Sequence, residues 1–383
     1  MLSKSVCYVV LALGLVTMVA CASTESEHMP GTDKSCSISS FHFDQCQKLA
    51  LNNRYLRKVD NFIIVFDSSA SMLQLYKGQI KFELARSIAL CMNRTIPDLK
   101  LAVGLMTFGS PVYTSMCYGM TRYSRTGLCD ALMALKKPSG VSPLSFAFDA
   151  LEKDLWNIKG KTAVIVISDG VDMNIDPVLE VRKIKSEMGN NICVYTILIG
   201  DDPNGKGILN QIALSGICGF STTADELASV QGMADFVKKV FLLYDTDGDG
   251  VADSMDQCPD TPKEATVDKQ GCWVIKDVLF DFDSHDIRPD AYPILDNVAH
   301  VMELNPDITI EIDGHTDIIG PERYNDMLSI NRARSGMNYL IHKGISRKRI
   351  TIRGFGFSRP KTTNRTPEGR AKNRRIELLP SRR

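Results

Sequence analysis

The stretch Gly314-His315-Thr316-Asp317-Ile318-Ile319-Gly320 decides how the C-terminal part of this 383-residue chain folds. Asp317 stands fifteen residues ahead of Arg332, across a predicted junction between a strand and a helix. An acid and an arginine in this arrangement can hold the ammonium and the carboxylate of a zwitterionic amino acid. The alternative is that Asp317 caps the helix and Arg332 makes a surface ion pair worth ~0–1 kcal/mol.

Strand and helix patterns extend on both sides of this stretch. Residues 308–312 alternate apolar and polar side chains, which is typical of a strand with one covered face. The order of elements predicts an α+β domain in which helices pack on one face of a mixed sheet. The predicted strands cover residues 278–282, 308–312, 349–354 and 375–379, and the predicted helices cover residues 289–304 and 322–342.

Three further segments, at residues 280–282, 354–356 and 369–377, strengthen the interpretation of the opening stretch. Together with it they resemble the peptidoglycan-binding core of OmpA-like domains, and the resemblance covers residues 273–383. It implies a Gram-negative periplasm as the compartment. The resemblance also implies that the chain binds peptidoglycan without a covalent bond.

The resemblance assigns roles to four residues. Asp317 is expected to pair with the ammonium of diaminopimelate in a peptidoglycan stem peptide, and Arg332 to grip the carboxylate of the same centre. Asn325 is expected to fill remaining hydrogen bonds, and Thr316 to orient the loop.

The N-terminus has the pattern of an export signal. A short basic start precedes an apolar run at residues 6–20 that is too short to span a bilayer. The run ends in Met18-Val19-Ala20-Cys21, which resembles a lipobox, although Met18 departs from its usual pattern. The resemblance implies that Cys21 is lipidated, with palmitate among its acyl chains. Alanine at position 22, directly after this cysteine, resembles the pattern of lipoproteins that are sent to the outer membrane. An ordinary signal peptide with an incidental cysteine is the alternative.

Residues 59–244 have a different pattern, in which continuous apolar strands alternate with amphipathic helices. This order predicts an α/β domain with a mostly parallel, doubly wound sheet covered on both faces. Ligands of such sheets bind beyond the C-terminal ends of the strands. The predicted strands cover residues 62–66, 101–108, 163–167 and 192–199, and two of the predicted helices cover residues 80–91 and 143–155.

Polar clusters fall at the strand ends of this domain, beginning with Asp67-Ser68-Ser69-Ala70-Ser71. Taken in chain order, the clusters resemble the metal-ion-dependent adhesion site of von Willebrand factor A domains. These domains have a Rossmann-like fold. The resemblance implies a Mg²⁺ ion whose coordination is completed by water and a partner's carboxylate. The alternative is that the acids cap loops and helices. The implied ligands are Asp67, Ser69, Ser71, Ser142 (where the family usually has threonine) and Asp169.

An acidic segment at residues 245–272 separates the two domains. Acids at every second position repel one another unless a cation neutralises them, but the distal glutamate of an EF-hand is absent. The segment resembles a thrombospondin type 3 repeat, which implies Ca²⁺ binding, with a solvated acidic linker as the alternative. The implied ligands are Asp245, Asp247, Asp249, Asp253, Asp256 and the Val251 carbonyl.

The chain has 11 cysteines, which suits an oxidising compartment. The sequence does not determine their pairing. Cys258–Cys272 is the favoured bridge, and Cys91 is predicted to be a buried free thiol in a helix. Further hypotheses are the pairs Cys36–Cys46, Cys117–Cys129 and Cys193–Cys218.

A formal net charge of +0 gives no reason to expect nucleic acid binding. The chain has no Gly-x-Ser-x-Gly elbow, zinc-type histidine pair or phosphate loop, so we expect no enzyme. We expect an outer-membrane lipoprotein, facing the periplasm, that binds peptidoglycan and recruits an unidentified protein through its metal. A structural tether whose first domain self-associates and a cell-wall enzyme are the alternatives. The predicted organisation is a signal peptide at 1–20, a lipidated tether and short N-terminal segment at 21–58, the α/β domain at 59–244, the calcium repeat at 245–272 and the peptidoglycan-binding domain at 273–383.

Overall fold

The computed structural model describes residues 46–109, 114–155, 158–171, 173, 177–215 and 218–382. The predicted signal peptide, Cys21 and Cys36 lie outside these residues. Within the described ranges, no helix has both the length and the apolar character needed to span a membrane.

The first domain alternates strands and helices in the order that the sequence predicts, with additional short elements. Its strands and helices are β1 (Tyr55–Arg57), β2 (Asn61–Asp67), β3 (Leu75–Tyr76), β4 (Gln79–Ile80), α1 (Lys81–Thr95), β5 (Ala102–Phe108), β6 (Thr114–Arg122), α2 (Arg125–Met133), α3 (Leu144–Leu155), β7 (Thr162–Ser168), α4 (Pro177–Met188), β8 (Ile192–Leu198), α5 (Pro203–Leu214), β9 (Ser221–Thr223), α6 (Ala224–Leu227), α7 (Val230–Phe241) and β10 (Leu242–Tyr244).

Six of these strands form one sheet in the order β6-β5-β2-β7-β8-β9. β2, β5, β7, β8 and β9 run parallel, and the edge strand β6 is antiparallel to β5. Every residue of β2, β7 and β8 is buried, as expected for apolar strands covered on both faces. The structure therefore has the mostly parallel α/β sheet that the sequence predicts.

Successive residues of a strand point to opposite faces of the sheet, so these apolar strands present apolar side chains on both faces. Helices cover both faces. Ile63 packs in a core formed with α3, α4 and α5. On the other face, the Phe62 ring meets Phe241 of α7 edge-on, with 5.2 Å between ring centroids. Phe66 meets Phe82 of α1 in the same way at 5.4 Å.

Two features of this domain have no counterpart in the sequence prediction. The edge strand β6 mixes polar and apolar residues and has irregular register against β5. β3 and β4 form a short hairpin, closed by Lys77 and Gly78 at φ 49° and 82°. Two successive residues in the left-handed region are typical of tight hairpin turns.

The second domain has helices on one face of a mixed sheet, as predicted. The strand order is β11-β14-β12-β13; β12 and β13 are parallel, and the other pairs are antiparallel. Ile310 and Ile312 of β12 are buried against Leu295 and Met337 of the two long helices. Its elements are β11 (Val278–Leu279), α8 (Tyr292–Leu304), β12 (Ile308–Gly314), α9 (Glu322–His342), β13 (Ile350–Gly354), α10 (Pro367–Asn373) and β14 (Arg375–Arg382).

Two predicted strands have different bounds in this domain. The first ends at Leu279 instead of Phe282, and Phe282 is exposed. The last strand continues past Leu379 to Arg382 because β12 still pairs with it there, with Ile308 opposite Arg382.

Cysteine pairing differs from the sequence hypotheses at two places. Cys91 is not a free thiol but is bonded to Cys46, which also excludes the Cys36–Cys46 pair. The chain before β1 runs beside the end of α1, where the Leu49 N–H donates to the Thr95 carbonyl at 3.0 Å. This approach brings two cysteines together that are 45 residues apart in sequence.

Two of the four hypothetical bridges are present. The structure links Cys193 to Cys218 and Cys258 to Cys272. The Cys117–Cys129 hypothesis is wrong, because Cys117 is an exposed free thiol on the edge strand β6 whereas Cys129 is disulfide-bonded.

Candidate functional site

A cavity of about 320 Å³ opens between the loop after β12, the start of α9 and the end of α10. It contains all four residues that the sequence assigns to ligand binding. Its lining residues are Phe282, Asp283, Thr316, Asp317, Ile319, Gly320, Pro321, Tyr324, Asn325, Leu328, Arg332 and Arg374.

Arg332 is fully buried at the base of this cavity. Its guanidinium donates three hydrogen bonds to backbone carbonyls, from Nη1 to His315 at 2.8 Å, from Nε to Ser284 at 2.8 Å and from Nη2 to Asp281 at 3.2 Å. A guanidinium has five N–H groups, so one N–H on each terminal nitrogen has no acceptor in the described part of the chain. Burial lowers the pKa of Arg332 to about 10, and it therefore stays charged at neutral pH.

The guanidinium of Arg332 also lies over the Phe280 ring, 5.3 Å from its centroid. The backbone bonds and the ring hold the planar group in one orientation. A surface ion pair, the alternative interpretation of Arg332, is excluded by this burial.

Asp317 has partners that the sequence did not predict. Its Oδ2 accepts a hydrogen bond from Nη1 of Arg374 at 3.0 Å, and its Oδ1 accepts one from the Ile319 N–H at 3.0 Å. It does not cap α9, which begins at Glu322 and has Pro321 at its N-cap position, without a side-chain cap. Arg374 is therefore a third charged group of the site. Arg374 lies in the segment 369–377, which contributes to the family resemblance. The spacing between Arg374 and Asp317 in the sequence does not indicate that their side chains meet.

The two neutral residues of the site differ in their roles. The Asn325 amide donates to the Ile319 and Gly320 carbonyls at 3.1 and 3.3 Å, so Asn325 holds the loop in place. Thr316 was expected to orient the loop. Its backbone N–H does bond to the Gly356 carbonyl at 2.8 Å, but its buried hydroxyl has no partner among the described residues.

His315 lies buried beside this site and stacks on Phe355, with 5.5 Å between ring centroids. Neither ring nitrogen has a hydrogen-bond partner within the described part of the chain. Burial lowers the pKa of His315 to about 4, and the nearby Arg375 charge acts in the same direction. The ring is therefore neutral at physiological pH.

The residues of the predicted Mg²⁺ site meet at the C-terminal edge of the first sheet. Asp67 ends β2, and its carboxylate accepts hydrogen bonds from the Ser69 N–H at 2.8 Å and from the Ser168 hydroxyl at 2.5 Å. The Ser69 and Ser71 hydroxyls are 3.0 Å apart, and Ser71 donates to Oδ1 of Asp169 at 3.1 Å.

Backbone contacts bring the loops of this edge together. The Ala70 N–H donates to the Gly140 carbonyl at 3.0 Å, which places Ser142 near the first loop. Gly109, with φ 98°, lies so close that a Cβ atom there would be 2.4 Å from the Ser69 nitrogen. Only glycine fits a position with this backbone conformation and this contact.

Lys81 is a cation of the site that the sequence did not predict. It is the first residue of α1, and its buried ammonium donates to Oδ2 of Asp169 at 2.9 Å. The same ammonium donates to the Gln74 side chain at 3.0 Å.

Two observations test whether these residues fit a cation. The Ser142 hydroxyl is buried without a hydrogen-bond partner in the described ranges, so its oxygen is available as a ligand. Burial raises the pKa of Asp67 to about 6, against the opposing effect of its hydrogen bonds to Ser168 and Ser69. A buried carboxylate of this kind gains from a nearby positive charge. The oxygen-only donor set fits a hard cation such as Mg²⁺.

The acidic segment brings some of its predicted Ca²⁺ ligands together but not all of them. Asp245, Asp247 and Asp249 each place a carboxylate oxygen within 4.8 Å of the other two. Asp253 is outside this group, and its carboxylate accepts two hydrogen bonds from Thr246 at 2.7 and 2.8 Å.

Asp256 lies beside this group, at Gly271. A Cβ atom at Gly271 would lie 2.0 Å from Asp256 Oδ1 and 2.9 Å from Asp249 Oδ2. That Asp249 oxygen is buried and has no hydrogen-bond partner among the described residues. Burial and the neighbouring acids raise the pKa of Asp249. The unpartnered oxygen fits a cation ligand.

Residues 279–374 match the OmpA family. The C-terminal domain is OmpA-like. The chain is similar to outer membrane porin F of Pseudomonas aeruginosa, which is 40% identical over 144 residues, or 36% of this chain and 41% of the porin. It is also similar to the peptidoglycan-binding protein ArfA of Mycobacterium tuberculosis, which is 39% identical over 102 residues, or 27% of this chain and 31% of ArfA.

Among solved structures, the peptidoglycan-associated lipoprotein of Burkholderia pseudomallei is similar at 28% identity, over 27% of this chain and 89% of that chain, with a TM-score of 0.27. The chain spans less than half the length of porin F and of ArfA.

Proposed function

We propose that this chain binds peptidoglycan without a covalent bond, through the cavity of its OmpA-like domain. The observation that carries the proposal is the buried Arg332 guanidinium, which keeps one N–H free on each terminal nitrogen beside Asp317. Two parallel N–H groups match a carboxylate in a planar fork. ArfA, a relative of this domain, has peptidoglycan binding in its name.

The ligand within peptidoglycan is the diaminopimelate of the stem peptide. Its carboxylate binds Arg332, and its ammonium binds Asp317 on the side that Arg374 leaves open. The unpartnered Thr316 hydroxyl supplies a further hydrogen bond to the ligand. Two guanidiniums and the Asp317 carboxylate thus complement a zwitterion.

Co-sedimentation with purified sacculi tests this proposal. Asp317→Asn keeps the shape of the side chain and removes its charge, so binding should weaken about tenfold. Free diaminopimelate should compete with sacculi for the wild-type protein. Asp286→Asn removes a charge from an exposed loop and is the matched control, which should bind as the wild type does. Wild-type binding by Asp317→Asn, together with no competition, would contradict the proposal.

We also propose that the first domain recruits a protein partner through a Mg²⁺ ion, in the manner of von Willebrand factor A domains. Asp67, Ser69, Ser71, Ser142 and Asp169 would hold the ion, which would offer a coordination position to a carboxylate of the partner. Exposed apolar side chains lie close to these residues in sequence, with Leu75 at 69% and Val141 at 53% of full exposure. Exposed apolar groups beside a polar site favour a docked protein.

A crosslinking pull-down from intact cells tests the recruitment, with wild type compared with Asp67→Ala. A partner captured only by the wild type supports the proposal. Size-exclusion chromatography with and without Mg²⁺ tests the alternative, in which the first domain self-associates and the protein is a structural tether. Release of muropeptides from sacculi would instead indicate a cell-wall enzyme.

The remaining part of the proposal is a lipid anchor at Cys21 that holds the chain at the outer membrane, facing the periplasm. The relatives named as outer membrane proteins support an envelope location. A Cys21→Ala variant should move from the membrane fraction to the soluble periplasmic fraction.

A further inference from the structure

A second large cavity, of about 510 Å³, is lined mainly by residues of the first domain, together with Asp253 and Ser254 of the acidic segment. Its floor is formed by Tyr195 of β8 and Phe220, whose rings meet edge-on with 5.1 Å between centroids. Leu242 and Leu243 of β10 form an apolar wall. The volume and the mostly apolar lining are typical of a site for a small organic molecule.

Three lysines, Lys58, Lys238 and Lys239, surround this apolar floor. The Lys58 ammonium lies 5.7 Å from the centroid of the Tyr195 ring, and the Lys239 ammonium lies 5.7 Å from that of Phe220. Burial, followed by the charge of Lys161, lowers the pKa of Lys58. The three ammonium groups give the cavity a positive charge that an anion entering it would complement.

Three lysines and one carboxylate, that of Asp253, line the cavity, so positive charge is in excess among its lining residues. The Asp253 carboxylate accepts hydrogen bonds from the backbone N–H and the hydroxyl of Thr246. Asp235 lies 3.9 Å from Lys238 on the exposed side of α7. Lys58 donates to the Lys239 carbonyl at 2.6 Å, which is a neutral acceptor.

The Tyr195 hydroxyl is the most specific feature of the cavity. Tyr195 is 1% exposed, and its hydroxyl has no hydrogen-bond partner among the described residues. Buried hydroxyls normally have a partner, because desolvating one without compensation is costly. Burial raises the pKa of Tyr195 to about 12, so the group stays a neutral donor.

We propose that this cavity binds a small organic anion with an apolar body. The body rests on the Tyr195–Phe220 floor, the anionic group is held by the lysines, and the Tyr195 hydroxyl donates to the ligand. The shared chemistry is a carboxylate on an aromatic ring or on an acyl chain. This site is separate from the OmpA-like cavity and does not depend on peptidoglycan binding.

Isothermal titration of the full chain tests the proposal with three probes. 2-Naphthoate and dodecanoate carry the same anionic group on a ring and on a chain, and 2-naphthylmethylammonium carries the opposite charge on the same ring. We expect at least one of the two carboxylates to bind. Tighter binding of 2-naphthoate would indicate an aromatic ligand, and tighter binding of dodecanoate would indicate an acyl ligand. The ammonium probe should not bind.

Two variants locate the binding. Lys239→Met keeps the apolar stem and removes the charge, and it should weaken carboxylate binding about tenfold because a charge-assisted hydrogen bond is lost. Tyr195→Phe deletes a hydroxyl that has no hydrogen-bond partner among the described residues, so it should fold normally and weaken binding about fivefold. Lys153→Met removes the same charge from a 75% exposed side chain of α3 and should bind as the wild type does. The proposal is overturned if neither carboxylate binds, if the ammonium probe binds equally well, or if either cavity variant matches the wild type.

Discussion

The ammonium of Lys81 lies 2.9 Å from Oδ2 of Asp169, at the edge where the sequence predicts a Mg²⁺ ion. Both side chains are buried, so their attraction is screened little by solvent. The lysine neutralises one of the two acids at this edge in the protein without metal. A divalent ion bound here would compete with the ammonium for Asp169.

The first prediction concerns Lys81→Met. Without metal, the variant should lose about 1–3 kcal/mol of unfolding free energy, since Asp169 is left buried without its cation. Mg²⁺ should then stabilise the variant more than it stabilises the wild type, because the competing charge is gone. Melting temperatures in chelator and in Mg²⁺ measure both effects.

Asp67→Asn on the Lys81→Met background is the control for this prediction. It removes a predicted ligand, so the response to Mg²⁺ should disappear. Equal responses to Mg²⁺ in Lys81→Met and in the double variant would show that the ion acts elsewhere.

The second prediction concerns Arg332→Lys, which keeps the charge of the OmpA-like site. The planar guanidinium donates hydrogen bonds to the carbonyls of Ser284, His315 and Asp281 at the same time, and the smaller ammonium of lysine cannot donate to all three. At least one buried carbonyl should lose its donor, which should lower the unfolding free energy by about 2–4 kcal/mol. Urea unfolding measures this loss.

Arg323→Lys is the matched control, since Arg323 is an exposed residue of the same helix. It should unfold at the wild-type urea concentration. If Arg332→Lys does so as well, the backbone hydrogen bonds of the guanidinium contribute little to stability.

Contacts within one motif can be predicted from the sequence, whereas contacts between distant segments cannot. Asp317 and Arg332 were predictable because both lie in one continuous motif. Lys81 meets Asp169 across 88 residues, and Arg374 meets Asp317 across 57. These pairs depend on how sheets bring distant loops together, which no local pattern records.

The same distinction holds for the fold. The buried parallel strands were predictable because continuous apolar runs are typical of strands covered on both faces. The edge strand β6 was not, since Thr114–Arg122 mixes polar and apolar residues without strict alternation. The Cys46–Cys91 bridge was missed because the segment before β1 packs beside α1, and an apolar helix pattern around Cys91 gives no sign of that contact.

The third prediction concerns the pH dependence of the OmpA-like domain. The pKa of His315 is about 4 in the folded protein and about 6.5 when it is exposed by unfolding. Between these values the unfolded chain binds a proton that the folded domain does not, so stability falls as the pH falls from 6.5 to 4. His315 should account for about 1–3 kcal/mol of this loss.

Calorimetry of wild type and His315→Gln across this pH range measures the contribution. Glutamine does not titrate, so the difference in unfolding free energy between the two proteins should shrink or change sign as the pH falls. The nearby charges, Arg375, Glu377, Arg359 and Asp277, are common to both proteins and largely cancel in the difference. A difference that stays constant from pH 6.5 to 4 would mean that His315 is protonated equally in both states.

The fourth prediction concerns the acidic segment. Asp245, Asp247 and Asp249 point carboxylate oxygens at one another, and a Ca²⁺ ion would replace their repulsion by attraction. Limited proteolysis around Asp249 should therefore be slower in Ca²⁺ than in chelator. Asp245→Asn with Asp249→Asn should abolish that difference, because two of the three carboxylates are neutral.

Asp260→Asn is the matched control in the same segment, since Asp260 is exposed and lies outside the carboxylate group. It should keep the full protection by Ca²⁺. The backbone of the segment is already held by its own acids: Asp245 accepts from the Gly248 and Gly250 N–H groups at 2.8 and 3.0 Å. If these bonds alone order the segment, proteolysis will be equally slow with and without Ca²⁺, and the calcium assignment fails.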